Sequence, residues 1–229
     1  MQNPLTDYSN PKSLGSRFRA RRIRWLIDLI KSVYKKSGEV RILDMGGRKT
    51  YWNAIPKEVL IDLRVTVSLL NLPNDLQGED DNIFTHIEGN ACDLSEYPDD
   101  SFDLVHSNSV IEHVGNWANV RLYSKEANRL APYHFIQTPY FWFPVEPHFI
   151  KLFHHWLPRP IRVRKWQTCN MENRDKATCL DDAILKMEDE PYLLDQRMFQ
   201  ALFPQSDILK ERYFLFVKSL TAYRCPTPK

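Results

Sequence analysis

The side chains best suited to moving a proton sit in residues 144–149, Pro-Val-Glu-Pro-His-Phe. Glu146 and His148 stand two apart in a segment stiffened by Pro144 and Pro147. A histidine has an unperturbed pKa of about 6.5, suited to accepting a proton near neutrality. The same pair would serve equally to hydrogen-bond the loop's own backbone. His113, in the run Val-Ile-Glu-His-Val at 110–114, is a third candidate, with a structural role competing. His154 and His155 are weaker, because adjacent histidines on a helix point to different faces. A different chemistry is written into residues 40–49, VRILDMGGRK. An apolar strand ends on Asp44 and runs into Gly46-Gly47. Such a turn presents backbone N–H groups to a nucleotide-like ligand.

The elements that must hold these groups follow from hydrophobic spacing. Residues 17–36 carry Phe18, Trp25, Leu26, Leu29, Ile30, Val33 and Tyr34 on one helical stripe, with basic residues opposite. Lys35, Lys36 and Gly38 mark the helix end. Residues 40–44 read as a buried parallel strand, and Pro56 should break any helix over 50–63. Strands are expected at 64–70, 83–88, 101–106 and 133–137, with a helix over 110–129 broken near Gly115-Asn116. Strands alternating with helices predict βαβ units and a parallel sheet. Residues 139–180 break this pattern. They are rich in proline and aromatic residues and read as an insertion over the strands' C-terminal edge. A helix at 195–203 and strands at 207–214 and 216–223 close the chain.

Residues 40–49, the strand VTVSLLN at 65–71, HIEGNACDL at 86–94 and DDSFDLVHSNSVIEHV at 99–114 follow one another at the intervals of one fold. In this order they resemble the class I S-adenosylmethionine-dependent methyltransferases, in their small-molecule and glycan branch. The resemblance implies an α/β Rossmann-like fold with a mostly parallel seven-stranded sheet, an antiparallel last strand and the aromatic insertion after the fifth strand. It implies S-adenosylmethionine as cofactor. Asp44, Gly46 and Gly47 would lie against its methionine part, with Arg48 where a third spaced glycine is usual. Asn71 and Leu72 would meet the ribose; an amide there in place of the usual acid implies weaker binding or help from a neighbour. Asn90, Ala91, Cys92 and Asp93 would border the adenine, and Ser107 and Asn108 would face the sulfur.

Composition sets the outer limits. The 229 residues, 43% hydrophobic, suit one domain with a sizeable core. Residues 1–16 read as a flexible tail and 17–229 as a single methyltransferase domain, with 139–180 as a lid on the substrate side. No apolar run is long enough for a transmembrane helix, although peripheral membrane contact stays open. The start shows no secretory signal, and Cys92, Cys169, Cys179 and Cys225 form no paired motif. A cytoplasmic protein with reduced thiols and no metal site is expected. Net charge is only +2, which disfavours a nucleic-acid partner. The charge is uneven: no Lys or Arg falls between Val65 and Val120, while Arg159, Arg162, Arg164 and Lys165 cluster further on. Either these are solvated faces, or they attract an acidic or phosphorylated substrate. Tyr140, Phe141, Trp142, Phe143, Phe149, Phe153 and Trp156 would form a core beneath the lid or a platform for a sugar ring. The favoured reading is methyl transfer to oxygen on a small molecule or glycan. Transfer to nitrogen, or cofactor binding without transfer, are the alternatives. An oxygen acceptor must lose its proton, which calls for a base or a metal, and His148 with Glu146 and His113 are the candidates.

Overall fold

A helical stripe of Leu26, Leu29, Ile30 and Val33, all buried, makes the first helix of the computed structural model an inner wall of the protein. The structure describes residues 14–76, 78–146, 148–171 and 174–226. Helix α1 (Leu14–Ser37) begins inside the expected tail; residues 1–13 of that tail lie outside the described residues. It ends at Gly38, whose φ of +78° suits glycine and whose N–H closes on Tyr34 O at 2.8 Å. One basic residue of α1 is not on a solvated face. Arg22 is buried and pairs with Glu211 at 2.9 Å.

Strand β1 (Val40–Met45) is buried along nearly its whole length, as a central parallel strand must be. Pro56 separates α2 (Lys49–Trp52) from α3 (Lys57–Asp62). Then come β2 (Val65–Asn71), β3 (Phe84–Glu88) and β4 (Leu104–Asn108). The fourth strand starts three residues later than expected. Asp100 takes a positive φ, and the Asp103 carboxylate is fixed by the backbone N–H of Arg41 at 2.8 Å, so Ser101–Asp103 form the approach to the strand. A 3-10 turn at Ile111–His113 leads to α4 (Trp117–Leu130), capped by the Asn116 side chain accepting from Asn119 N. Strand β5 (Tyr133–Pro139) is wholly buried.

The segment after β5 has structure of its own. A two-residue hairpin, β6 (Val145–Glu146) with β7 (Lys151–Leu152), precedes α5 (Arg159–Thr168) and α6 (Leu180–Glu188). Trp166, Phe149, Met171, Ala183 and Met187 form a small apolar cluster separate from those on the sheet. Helix α6 shares it, so the non-sheet segment continues beyond residue 180. Helix α7 (Gln196–Leu202), β8 (Asp207–Tyr213) and β9 (Phe216–Arg224) complete the chain.

The seven-stranded sheet has the order β3-β2-β1-β4-β5-β9-β8. All neighbours from β3 to β5 pair in parallel, while β9 runs antiparallel between β5 and β8. Helices α1, α2 and α3 cover one face with a core that includes Trp52 and Phe135. Helices α4 and α7 cover the other, around Tyr123 and Phe199. Strand order reverses between β1 and β4, where open α/β sheets form a ligand crevice at the carboxyl ends of their strands. Among the described residues no helix is long and apolar enough to cross a membrane.

Candidate active site

Two adjoining cavities lie at that reversal, sharing Gly46 and Val110 in their walls. The larger, about 430 Å³, is lined by Gly46, Asn71, Leu72, Asn90, Ala91, Cys92 and His113, with Asp75, Gly89, Val110 and Asn119. The smaller, about 290 Å³, is lined by Asp44, Gly46, Gly47, Arg48, Tyr51, His106 and Asn108. Together they form a crevice along the ends of β1, β2 and β4. Gly46 has a φ of +72°, and a Cβ there would come within 2.7 Å of the Val110 methyls that border both cavities. A Cβ on Gly89 would come within 2.8 Å of Leu70. Position 46 therefore requires glycine, while at Gly89 a larger residue would have to displace the end of the Leu70 side chain.

The local bonding decides what each wall residue offers. Asp44 is buried, and its two oxygens accept from His106 Nδ1 and Trp52 Nε1, each at 2.7 Å. Its carboxylate thereby fixes the floor of the smaller cavity as well as bordering it. Asn71 donates its amide N–H to Gly47 O at 2.8 Å, which ties the end of β2 to the glycine turn. This bond needs an amide, since a carboxylate has no N–H to give. Asn90 accepts from Cys92 N at 3.0 Å and holds the turn that follows β3. Asp75, in the 3-10 turn Pro73–Asp75, is an acid that sequence reading missed; it lines the larger cavity with Asn71.

Two expected cofactor residues lie elsewhere. Asp93 is exposed and its carboxylate accepts from Ser95 N, so it borders neither cavity. Ser107 is buried within β4 and donates to Met45 O at 3.0 Å, because alternation along the strand turns it away from the crevice that Asn108 reaches.

The proton-transfer candidates do converge. Glu146 is buried, and one of its oxygens accepts from the backbone N–H groups of His148 (2.8 Å) and Phe149 (2.6 Å). Its other oxygen accepts from His148 Nδ1 at 2.7 Å. This carboxylate holds the loop, one of its two expected roles, and also orients the imidazole. Pro147 lies outside the described residues. With Nδ1 bonded to the Glu146 carboxylate, the His148 ring turns Nε2 outward. That atom faces His113 Nε2 at 3.1 Å and Glu112 Oε1 at 4.0 Å. Desolvation, with His148 and Arg174 nearby, pushes the His113 pKa down to about 4. Burial pushes Glu112 up to about 7. His154 and His155 are engaged elsewhere, with Glu190 and with Phe141 O.

A third cavity of about 510 Å³ opens among Phe141, Trp142, Arg159, Arg162 and Tyr192. The aromatic run divides: Phe143 and Phe149 are core, while Trp142 and Phe153 are about half exposed. Arg159 and Arg162 pair with Glu188 and Glu190, which lowers the positive potential expected of that group. The backbone N–H of Tyr192 donates to Glu112 O at 2.7 Å, linking this cavity's wall to the histidine cluster.

Residues 59–131 match a family model described as a methyltransferase domain. No curated protein matches. Among solved structures, YcgJ from Bacillus subtilis is similar at 13% identity and a TM-score of 0.48, over 84% of this chain and 70% of that one. A complex of the Haloferax volcanii Trm112 methyltransferase activator with a methyltransferase gives 14% identity and 0.49, over 92% and 94%. A SAM-dependent methyltransferase from Methanosarcina mazei gives 12% and 0.48, over 81% and 92%.

Proposed function

We propose that the chain is a class I S-adenosylmethionine-dependent methyltransferase, on its matched methyltransferase domain and its sheet order, and that it methylates an oxygen atom of a small molecule or glycan. One observation carries the oxygen assignment. A histidine oriented by a buried carboxylate, His148 with Glu146, turns its other ring nitrogen onto His113 in the wall of the cofactor crevice. A pre-formed thiolate acceptor has no need of such a group, whereas a hydroxyl must lose its proton as it attacks.

The cofactor fits the crevice by its donors and its space. Gly46, Gly47, Arg48 and Asn108 would hold the amino-acid end, with Asp44 fixing the floor beneath it. Asn71 would offer its amide oxygen to the ribose while its N–H stays on Gly47, and Asp75 would supply the second acceptor. Asn90, Ala91 and Cys92 would border the adenine. When bound, the cofactor supplies an electrophilic methyl group on a sulfonium, whose carbon–sulfur bond breaks with the electron pair staying on sulfur. The chain's own task is to hold the acceptor in line and take its proton at His148 Nε2; alignment of this kind supplies much of the rate. The exposed ring of Trp142 and the paired Arg159 and Arg162 suit a sugar face with polar substituents. A cytoplasmic location belongs to the same proposal.

The test is transfer of an isotopically labelled methyl group to a panel of sugars, nucleotide sugars and simple phenols, with the product position read by NMR. A methoxy product is expected. Label found only on nitrogen would overturn the oxygen assignment.

A further inference from the structure

Three ligand atoms of types suited to a transition metal converge at the edge of the crevice. His113 Nε2, His148 Nε2 and one oxygen of Glu112 lie within 4.8 Å of one another. Glu112 is fully buried, and Thr138 Oγ1 donates to its Oε2 at 2.9 Å. Its other oxygen, Oε1, has no hydrogen-bond partner among the described residues, although a buried carboxylate oxygen normally acquires one. His148 donates its Nδ1 proton to Glu146, which leaves Nε2 as the ring atom that reaches the cluster. It faces another ring nitrogen at 3.1 Å. A cation among these atoms would engage the ring nitrogens and the unpartnered carboxylate oxygen together, whereas a proton shared between the rings engages only the two nitrogens.

We propose that Glu112, His113 and His148 bind one divalent first-row transition-metal ion, and that the ion's open positions take the acceptor's oxygen. Two imidazoles and one carboxylate leave positions free, as catalytic sites do and closed structural sites do not. The imidazoles favour zinc, manganese, iron or cobalt over calcium and magnesium, which prefer oxygen ligands. Two ligands about 2.1 Å from one ion lie about 3.0–3.4 Å apart. The 3.1 Å between the histidines already meets this, while Glu112 Oε1, 4.0 Å from His148 Nε2, must move closer to bind. The support behind the ligands is of the kind metal sites use: Glu146 orients His148, and Thr138 orients Glu112. Arg174 is the opposing charge nearby, acting on His113, and Glu146 acts against it.

The ion-binding half stands on geometry alone; the acceptor half rests on the oxygen-methylation reading. In the loaded enzyme His148 is a ligand, and the acceptor hydroxyl, bound to the cation, releases its proton to water. His148 acts as the base only when no ion is bound.

The test strips the purified protein with EDTA, removes the chelator, and titrates it with Zn²⁺ by calorimetry and with Mn²⁺ by electron paramagnetic resonance. One ion per chain is expected. His113→Ala and Glu112→Gln should weaken binding about 100-fold, and Glu146→Gln, one step removed, about 10-fold. The melting temperature of metal-free His113→Ala should match that of the metal-free wild type, since His113 lines a cavity. No stoichiometric ion on the wild type, or equal binding by His113→Ala, would overturn the site. For the acceptor half, oxygen methylation should vanish in EDTA and return with metal, while S-adenosylmethionine binding is unchanged by either. Full turnover in EDTA would overturn that half and leave His148 as the base. Ion binding with no methylation of any oxygen acceptor would instead overturn the proposed substrate class.

Discussion

At position 71 the residue type decides which way a substitution acts. An acid there would ordinarily hold a ribose more strongly than Asn71 does. In this chain the Asn71 amide donates to Gly47 O, and a carboxylate would set two acceptors against each other. Asn71→Asp should therefore weaken S-adenosylmethionine binding about 10-fold, where the simple charge argument expects tightening; calorimetry separates the two. His148→Ala should lower kcat about 100-fold or more while cofactor affinity holds, since His148 lines neither cofactor cavity. An unchanged kcat at saturating acceptor would remove His148 from proton transfer. Much at this scale was legible. Asp44 and Gly46 sit where a strand meets its turn, and that pattern is local. Asp75 and Glu112 were not. Asp75 joins the cavity only because its short turn sits beside the end of β2. Glu112 becomes a candidate ligand only when the loop after β5 brings in His148, 36 residues along the chain.

The elements divide into a sheet read almost correctly from spacing and a following segment that spacing could not resolve. The sheet strands alternate with helices and carry dense β-branched runs, so their periods are clear. Even so, β4 was placed too early, because Ser101–Asp103 look strand-like and only the bond from Arg41 N to Asp103 shows them to be an approach turn. Between β5 and α7 the helices are short and the aromatic residues serve two ends. Some are core, as Phe149 and Trp166 are, and some stand exposed, as Trp142 does. This segment has its own apolar cluster, centred on the fully buried Trp166, whose indole N–H donates to Glu190 at 2.7 Å. Trp166→Ala should cost about 3–5 kcal/mol locally. Hydrogen exchange should then show lost protection across α5 and α6, with the amides of β1, β4 and β5 unchanged. Protection lost equally throughout would mean that the segment and the sheet fold as one unit.

For the whole molecule, stability in acid should report β5, the strand at which the sheet turns antiparallel. His134 is buried in it, bonded to Ser206, and burial with Arg224 nearby pushes its pKa down to about 3. The unfolded chain has an ordinary histidine there, near 6.5. A depressed folded pKa means that the unfolded state binds the proton first, so its contribution is complete above about 6.5 and is lost as pH falls toward about 3. Urea midpoints measured over that range should fall, and His134→Gln should flatten the slope. An identical slope in the variant would assign the acid limb to other groups.

The central claim concerns the crevice between β1 and β4, and one titration tests it most directly. S-adenosylmethionine and S-adenosylhomocysteine should each bind the wild type at one site in calorimetry. Ala91→Phe places a ring in the 430 Å³ cavity from the turn after β3, outside the sheet. It should fold as the wild type does by circular dichroism and bind neither ligand. A wild type that binds neither ligand, or an Ala91→Phe variant that binds both as well as the wild type, would contradict the assignment of the crevice to the cofactor.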